Sequence, residues 1–180
     1  MLDAKLFNTG RKINPQKKMI EEASKIKRLC NKKAVFLIND SIDVALAVDA
    51  DGVHLGQGDM QCKIARKLLG KQKIIGLTAH NAEEAVEAER IGADYIGLSP
   101  IFATQTKKDA GKACGTGMIK KIRKKIKIPI VAIGGINKQN VAEVIKSGAD
   151  SAAAISAVLN SENVYEEVKD FIETIKKSKK

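Results

Sequence analysis

Short apolar runs recur along the chain, and a polar stretch and then a segment with helical periodicity follow most of them. The runs are continuous rather than alternating, which is typical of strands buried on both faces of a parallel sheet. They predict strands at residues 35–38, 52–55, 74–77, 95–98, 130–133 and 151–155, with a further candidate at 4–8. The intervening periodicity predicts helices at 15–30, 42–48, 63–69, 81–92, 118–126, 140–147 and 164–177.

Strands and helices thus alternate at intervals of about twenty residues, the pattern of repeated βα units around a parallel sheet. The junctions between helix and strand also repeat, as Asp49-Ala-Asp51, Gly92-Ala-Asp94 and Gly148-Ala-Asp150. Repeated βα units that close on themselves form a barrel, with the functional residues at the carboxyl ends of the strands. A doubly wound open sheet is the alternative, but the sequence lacks the glycine-rich turn that usually marks it. We therefore predict one α/β domain over residues 1–180.

The composition indicates a folded protein of the cytoplasm. With 180 residues, of which 44% are hydrophobic, the chain is long enough for a substantial core. It contains no apolar run long enough for a membrane span, and its N-terminus carries no apolar stretch of signal-peptide length. The three cysteines are far apart and odd in number, which argues against a disulfide framework and against a cysteine metal site.

The net charge of +11 is concentrated in the lysine-rich segments 120–127 and 176–180. A basic chain can bind nucleic acid. However, Ile122 and Ile126 are four residues apart in the first segment, as on a helix with a buried stripe and a solvated charged face. Aromatic residues make up only 3% of the chain, so surfaces on which single-stranded bases could stack are scarce. We interpret the lysines as a solvated surface and expect no nucleic-acid partner.

Residues that suit a phosphorylated ligand follow two of the predicted strands. Thr104, Thr106 and Lys107 offer two hydroxyls and an ammonium group, which bind phosphate oxygens well. A solvated surface loop is the alternative for this stretch. Gly134-Gly135 ends another strand, where backbone N–H groups can approach an anion closely, although a plain tight turn has the same pattern.

Two carboxylates, Asp40 and Asp59, follow consecutive predicted strands. If those strands are parallel, the carboxylates share one edge of the sheet and can bind a Mg²⁺ ion together with phosphate oxygens of a substrate. The alternatives are helix capping by Asp40 and a turn role for Asp59. Of the two histidines, we expect His54 inside a strand to be structural, and His80 at a strand end has no obvious partner in the sequence.

Taken together, these segments resemble the thiamine phosphate synthase family. The resemblance rests on Asn39-Asp40, on residues 50–60 (ADGVHLGQGDM), on 97–108 (GLSPIFATQTKK) and on 131–136 (VAIGGI). It implies a (β/α)8 barrel of TIM type. It also implies a transferase of thiamine biosynthesis that joins a hydroxymethylpyrimidine diphosphate to a thiazole phosphate and releases pyrophosphate.

The resemblance further implies roles for individual residues, divided between a Mg²⁺-diphosphate side and a thiazole-phosphate side. No nucleophilic side chain is required, because the metal and a lysine stabilise the leaving group. The metal ligands are Asp40 and Asp59; the substrate-binding residues are Lys12, Asn39, Thr104, Thr106, Lys107, Gly135, Ile155 and Ser156; the catalytic residues are Lys107 and Thr78, whose hydroxyl replaces that of the family's usual serine.

The N-terminal segment departs from the family pattern. The family's first βα unit has no counterpart, and residues 8–12 (NTGRK) stand where the family has Gln-x-Arg-x-Lys, which helps to bind the diphosphate. Lys12 keeps the lysine, whereas Gly10 replaces the arginine and Arg11 would face the other side of a strand. We therefore expect weaker binding of the diphosphate than of the thiazole phosphate, and slow or no turnover.

A barrel without its first unit has unpaired strand edges. The N-terminal residues or a partner subunit of a homo-oligomer could cover these edges, or they could remain uncovered. Two other functions also remain open. A thiazole tautomerase-like protein has a histidine near the position of Pro100, and this sequence has no histidine after His80. A non-catalytic or decayed relative would keep the thiazole-phosphate side and no longer bind the diphosphate.

Overall fold

A computed structural model describes residues 15–30, 33–106 and 111–179. In this part of the chain, six strands and eight helices follow one another in nearly the predicted alternation, and no helix is both long and apolar enough to cross a membrane. The strands are β1 (Leu37–Asn39), β2 (Gly52–Leu55), β3 (Ile74–Ala79), β4 (Tyr95–Leu98), β5 (Ile130–Ile133) and β6 (Ser151–Ala153). The helices are α1 (Pro15–Cys30), α2 (Ile42–Ala47), α3 (Cys62–Leu69), α4 (Ala82–Arg90), α5 (Gly115–Arg123), α6 (Val141–Lys146), α7 (Ser156–Leu159) and α8 (Val164–Ser178).

These elements belong to two compact units. The first unit runs to Leu77 and includes Ile91–Ala93, and the second comprises Thr78–Arg90 and the residues from Asp94 onwards. Strand β3 therefore begins in the first unit, and its last two residues belong to the second. Every strand pair identified within a unit is parallel, which confirms the predicted α/β class.

In the first unit, β1, β2 and β3 are neighbours in that order. Leu37 of β1 aligns with Gly52 of β2, and Gly52 aligns with Ile74 of β3. All four residues of β2 are buried, as its apolar sequence predicts. Helix α1 adds Met19 and Ala23 to the same hydrophobic core.

In the second unit, β4, β5 and β6 are parallel neighbours in that order. Ile119 and Ile122 on the inner face of α5 are fully buried, whereas most lysines of residues 120–127 are exposed. The lysine-rich segment therefore has the buried stripe predicted from its spacing. Ile126 is also buried, although the helix has ended at Arg123.

Strands β2, β4 and β5 have the predicted bounds, whereas β3 ends at Ala79 rather than at residue 77 and several other predicted boundaries are wrong. Strand β1 starts at Leu37 rather than at residue 35, because the Phe36 N–H is taken by a carboxylate from outside the sheet. Helix α5 runs three residues earlier than predicted, because the chain turns into it at Gly115, where φ is 72°. The last predicted strand ends at Ala153, and the short helix α7 follows it.

The aspartates that repeat at the helix-to-strand junctions share a structural role. Asp51 Oδ2 accepts the N–H of Phe36 at 2.7 Å, and Asp150 Oδ2 accepts the N–H of Ile130 at 2.8 Å. Each aspartate also forms a salt bridge with a basic side chain of a preceding helix. Burial acts to raise the pKa of Asp51, but the hydrogen bonds from Lys27 and Phe36 outweigh it and leave the pKa lowered. These contacts lie at the amino ends of the strands, where βα proteins keep features that serve stability.

Candidate active site

The first group of predicted site residues lies at the carboxyl ends of β1 and β2, within the first unit. Strand β1 ends at Asn39, and Asp40 follows with φ of 66°, in the left-handed region. The Asp40 N–H donates to the carbonyl oxygen of His54 at 2.8 Å, so the neighbouring strand holds this conformation. Few residues other than glycine adopt it, and Asp and Asn tolerate it best. The capping position of α2 is Ser41, so the predicted alternative role of Asp40 as a helix cap is wrong.

Asp59 closes the loop that follows β2. Its carboxylate Oδ2 accepts the N–H of Gly56 at 2.6 Å, and its own N–H donates to the carbonyl oxygen of Gly56 at 3.2 Å. The turn role considered for Asp59 is thus confirmed. The turn hydrogen bond from Gly56 uses one carboxylate oxygen of Asp59, and the side chain is exposed. The turn is therefore compatible with Asp59 as a metal ligand.

Asp40 and Asp59 line one cavity of about 410 Å³ in the first unit. Its other lining residues are Ser41, Ile42, Asp43, Leu46, Met60 and Leu68. Within the described ranges, no group of three or more histidine, cysteine or acidic side chains is arranged to hold a metal ion. Two carboxylates with open space beside them nevertheless fit Mg²⁺, which usually binds one or two carboxylates, water and substrate phosphates rather than a full protein cage.

The second group of predicted site residues begins in the loop after β4, within the second unit. The N–H of Thr106 donates to Thr104 Oγ1 at 3.2 Å, which forms a local turn. Thr106 Oγ1 donates to Ser156 Oγ at 3.3 Å across fifty residues of sequence, and both side chains are exposed. Segments that the resemblance assigned to the thiazole and to its phosphate are therefore in contact.

The glycine pair after β5 packs directly against the same loop. Gly134 and Gly135 have φ angles of 99° and 62°, which favour glycine. A Cβ atom on Gly135 would lie 2.6 Å from the carbonyl oxygen of Ala103, and one on Gly134 would lie 2.7 Å from Cβ of Pro100. The N–H of Phe102 donates to the carbonyl oxygen of Gly134 at 3.1 Å. The pair is therefore more than a plain turn, because it joins the end of β5 to the loop that carries the threonines.

Ile155 and Ser156 lie at the start of α7, a helix that the sequence analysis did not predict. Ile155 immediately precedes the helix, and its side chain is 54% exposed. Thr78 lies near the carboxyl end of β3 and is half-buried. The structure thus places these residues at strand ends of the second unit, and their roles in binding and catalysis stay predictions.

The two histidines have different surroundings. His54 is buried within β2, in keeping with the structural role expected for it. His80 does have a partner, because its Nδ1 lies 2.9 Å from Oε2 of Glu84, which also accepts the His80 N–H at 2.8 Å. Glu84 is also bonded to the residue before the helix, since its N–H donates to Asn81 Oδ1 at 2.8 Å, as in a capping box. The four-residue spacing between His80 and Glu84 was the signal in the sequence that could have identified this pair.

Two predicted residues, Lys12 and Lys107, lie outside the described residues, as does the whole of 8–12. Conversely, Asn140 belongs to the second group of site residues, and the sequence analysis assigned it only to the start of a helix. Its Nδ2 donates to the carbonyl oxygen of Gly135 at 3.0 Å. No sequence pattern marks such a contact across a loop of irregular structure.

Parallel βα units with paired carboxylates at strand ends in one unit, and hydroxyls beside a glycine pair in the other, define a class of protein that handles phosphorylated ligands. Residues 3–158 match the TMP-TENI family, described as thiamine monophosphate synthase, and the chain belongs to this family.

Individual relatives agree with this assignment. The chain is 60% identical over 164 residues to the thiamine-phosphate synthase of Methanosarcina barkeri, covering 91% of this chain and 74% of the relative. It is also 60% identical over 161 residues to that of Methanosarcina mazei, covering 89% and 67%. The structure of thiamine phosphate pyrophosphorylase from Pyrococcus furiosus superposes with a TM-score of 0.85 at 41% identity, covering 93% of this chain and 81% of that one.

Proposed function

We propose that this protein catalyses the condensation of a hydroxymethylpyrimidine diphosphate with a thiazole phosphate, giving thiamine phosphate and pyrophosphate. Relatives that are 60% identical over most of the chain carry the name thiamine-phosphate synthase, which supports a transferase of thiamine biosynthesis. The structural observation that carries the proposal is the hydroxyl contact between Thr106 and Ser156 beside the Gly134-Gly135 pair. It gathers three separate segments into one surface of hydroxyl and backbone donors, the groups that bind a phosphate monoester.

On this surface, Thr104 and Thr106 face the thiazole, and Gly135, Ile155 and Ser156 bind its phosphate. The two hydroxyls already contact each other, so a ligand oxygen could replace a hydrogen bond that the free protein makes within itself. The glycine pair supports the assignment because it keeps its backbone close to the threonine loop and free of side chains. Short, convergent donors of this kind orient a phosphate and with it the ring that carries it.

For the diphosphate, we propose that Asp40 and Asp59 bind a Mg²⁺ ion. Their shared place in one cavity supports this, as does the exposure of Asp59. Asn39, Lys12 and Lys107 would contact the diphosphate itself, as the family resemblance implies. When bound, Mg²⁺ stabilises the negative charge of the departing pyrophosphate.

The reaction breaks the bond between the pyrimidine methylene carbon and the diphosphate oxygen, and the electron pair leaves with pyrophosphate. The thiazole nitrogen then gives its lone pair to the methylene carbon, which forms the new C–N bond. Because no side chain acts as a nucleophile, the protein contributes by positioning the substrates and by stabilising the leaving charge. We assign the leaving-group ammonium to Lys107 and a hydroxyl beside the reacting groups to Thr78.

We also propose that the chain is a single domain of the (β/α)8 TIM-barrel type, as the superposition on the Pyrococcus furiosus protein supports. We further propose that the protein forms a homo-oligomer in which the partner covers exposed strand edges. We also propose that it is located in the cytoplasm. Cys30, Cys62 and Cys114 form no disulfide in the described part of the chain, which suits a reducing compartment.

The test is turnover with both substrates and Mg²⁺, with two controls for the second substrate. One control omits the thiazole phosphate, and the other replaces it with the corresponding thiazole alcohol. We expect product only when a thiazole is present, and a much lower KM for the phosphate than for the alcohol. Binding of thiazole phosphate without product at any Mg²⁺ concentration would instead favour a non-catalytic relative.

A further inference from the structure

The side chain of Asn140 bridges the two ends of the loop that follows β5. Its Nδ2 donates to the carbonyl oxygen of Gly135 at 3.0 Å, and its Oδ1 accepts the N–H of Asn137 at 2.9 Å. Both hydrogen bonds are partly buried. A single amide therefore uses its donor and its acceptor at once to hold the loop.

This use of the side chain is unusual for the position that Asn140 occupies. Asn140 is the N-cap residue of α6, where an Asn side chain normally accepts an N–H from the first turn of the helix. Here the side chain makes no capping hydrogen bond. In contrast, the N-cap residue of α8, Asn163, does cap its helix by accepting the N–H of Glu166 at 3.2 Å. The N–H groups of Gln139 and Asn140 are accepted by Asn137 Oδ1 at 3.0 and 3.2 Å. Asn137 and Asn140 are therefore bonded to each other reciprocally, as in a capping box, and Nδ2 of Asn140 makes the additional contact with Gly135.

Two contacts, one of them from Asn140, fix the orientation of two successive peptide groups. The carbonyl oxygen of Gly134 accepts the N–H of Phe102, and that of Gly135 accepts Nδ2 of Asn140. Because a trans peptide is planar, fixing a carbonyl also fixes the N–H on its opposite side. The N–H groups of Gly135 and Ile136 are therefore held in set directions. Neither has a hydrogen-bond acceptor within residues 15–30, 33–106 and 111–179.

We propose that Asn140 is a positioning residue for the phosphate of the thiazole substrate, acting through the Gly135 carbonyl on the N–H group of Ile136, beside the Gly135 N–H that the contact between Phe102 and Gly134 orients. This rests on the proposed function, because it assumes that the glycine pair binds that phosphate. Asn140 itself does not touch the substrate. Its side chain sets the Ile136 N–H in advance, so that this donor needs no rearrangement when the phosphate arrives.

The test uses Asn140→Asp and Asn140→Ala with Asn163→Ala as the matched control. Asp keeps the acceptor for Asn137 and the size of the side chain, but it cannot donate to Gly135. We expect both Asn140 variants to raise the KM for thiazole phosphate by about tenfold or more, as for the loss of a hydrogen bond to a charged group. The kcat and the KM for the pyrimidine diphosphate should change less than about threefold, within the range of uninvolved residues.

Two further measurements separate positioning from a general loss of structure. With the thiazole alcohol, which lacks the phosphate, wild type and Asn140→Asp should have the same KM within about threefold. Asn163→Ala should lower the unfolding temperature and leave all three KM values unchanged. An equal rise of KM for phosphate and alcohol, or no rise for either, would overturn the proposal.

Calorimetric binding of thiazole phosphate distinguishes this inference from the proposed function. If wild type binds the ligand without turnover, the proposed function fails, and the ratio of Kd between Asn140→Asp and wild type still tests Asn140. A ratio near one would overturn the positioning role. A ratio of about ten or more would support it.

Discussion

Thr106 and Ser156 lie fifty residues apart in the sequence, yet Thr106 Oγ1 donates a hydrogen bond to Ser156 Oγ at 3.3 Å. The contact joins the loop after β4 to the start of α7, and both side chains are exposed. Hydroxyls that are paired in the free protein and open to solvent can turn to a ligand without burial of an unsatisfied group. We therefore place the proposed thiazole-phosphate site at this pair of hydroxyls.

Replacing Ser156 with Ala should weaken the binding of thiazole phosphate by roughly ten- to a hundredfold, the effect of losing one hydrogen bond to a charged group. The KM for the pyrimidine diphosphate should stay within about threefold of wild type. Ser161→Ala is the control, because Ser161 Oγ accepts a local N–H, that of Asn163 at 3.3 Å, and is not one of the proposed site residues. Equal KM values for thiazole phosphate in wild type and Ser156→Ala would show that Ser156 does not bind this substrate.

The paired carboxylates predict a specific dependence on Mg²⁺. Asp59→Asn keeps an oxygen that can accept the N–H of Gly56, so the turn should persist while the negative charge is lost. We expect kcat/KM to fall by about a hundredfold or more, with a higher Mg²⁺ concentration needed for half-maximal rate. Asp40→Asn should behave in the same way, because Asn also tolerates the left-handed conformation.

Asp43→Asn is the matched control for the Mg²⁺ titration. Asp43 lines the same cavity, but its carboxylate accepts a hydrogen bond from Gln16 of α1 and is not one of the proposed ligands. It should leave the Mg²⁺ dependence unchanged. If all three variants weaken the response to Mg²⁺ equally, the cavity acts only through its total charge and not through a specific pair of ligands.

Gly135 should not tolerate a side chain. A Cβ atom there meets the carbonyl oxygen of Ala103 at 2.6 Å, and φ is 62°. We expect Gly135→Ala to reduce the free energy of unfolding by about 1–3 kcal/mol, as for other strained backbone positions, and to abolish binding of thiazole phosphate. Gly58→Ala serves as the control in urea unfolding, since no atom of the described residues lies within 4 Å of its Cβ position. Unchanged stability and binding in Gly135→Ala would show that the loop can move away from β5.

Glu89 makes stability depend on pH. Its Oε1 accepts the N–H groups of Lys127 at 2.6 Å and of Ile128 at 3.0 Å, and these hydrogen bonds lower its pKa from the usual 4.5. A carboxyl group whose pKa is lower in the folded state stabilises the fold above the unfolded pKa, and the contribution is lost as the pH falls through the folded value. Wild type should therefore be more stable than Glu89→Gln at neutral pH.

That difference should shrink as the pH falls below 4.5, because protonated Glu resembles Gln. Thermal unfolding of both proteins between neutral and acidic pH measures it. Glu83→Gln is the control, since Glu83 lies on the same helix and accepts no such backbone N–H in the described part of the chain. A difference between wild type and Glu89→Gln that does not vary with pH would contradict the role of the charge.

The sequence predicted the parts of the fold in which local pattern and burial agree. Strands β2, β4 and β5 are short apolar runs bounded by polar residues, and their limits were correct. The prediction for the stretch from Ser151 was only partly correct, because a continuous run of alanine and other apolar residues suits a strand or a helix equally well. It contains both, β6 and then α7.

For the candidate site, strand order alone predicted which residues would come to the carboxyl ends of the strands. It therefore predicted that Asp40 and Asp59 would share one edge of the sheet, and both line one cavity. The family resemblance assigned Thr106 to the thiazole and Ser156 to its phosphate, and their hydroxyls are in contact. Strand order could not predict the role of Asn140, because the contact of its Nδ2 with the Gly135 carbonyl depends on the path of the loop and not on spacing. The weaker binding of the diphosphate, which rests on Gly10, lies outside the described residues and stays a prediction.

The most direct test of the account is steady-state turnover by the 180-residue chain, with thiamine phosphate and pyrophosphate measured together. The account predicts that the two products form in equal amounts, at a rate kept slow by the expected weak binding of the diphosphate. It also predicts that they form only when both substrates and Mg²⁺ are present, and that Asp59→Asn and Ser156→Ala each reduce the rate. Pyrophosphate released without thiamine phosphate, or tight binding of thiazole phosphate with no product at saturating Mg²⁺, would contradict it.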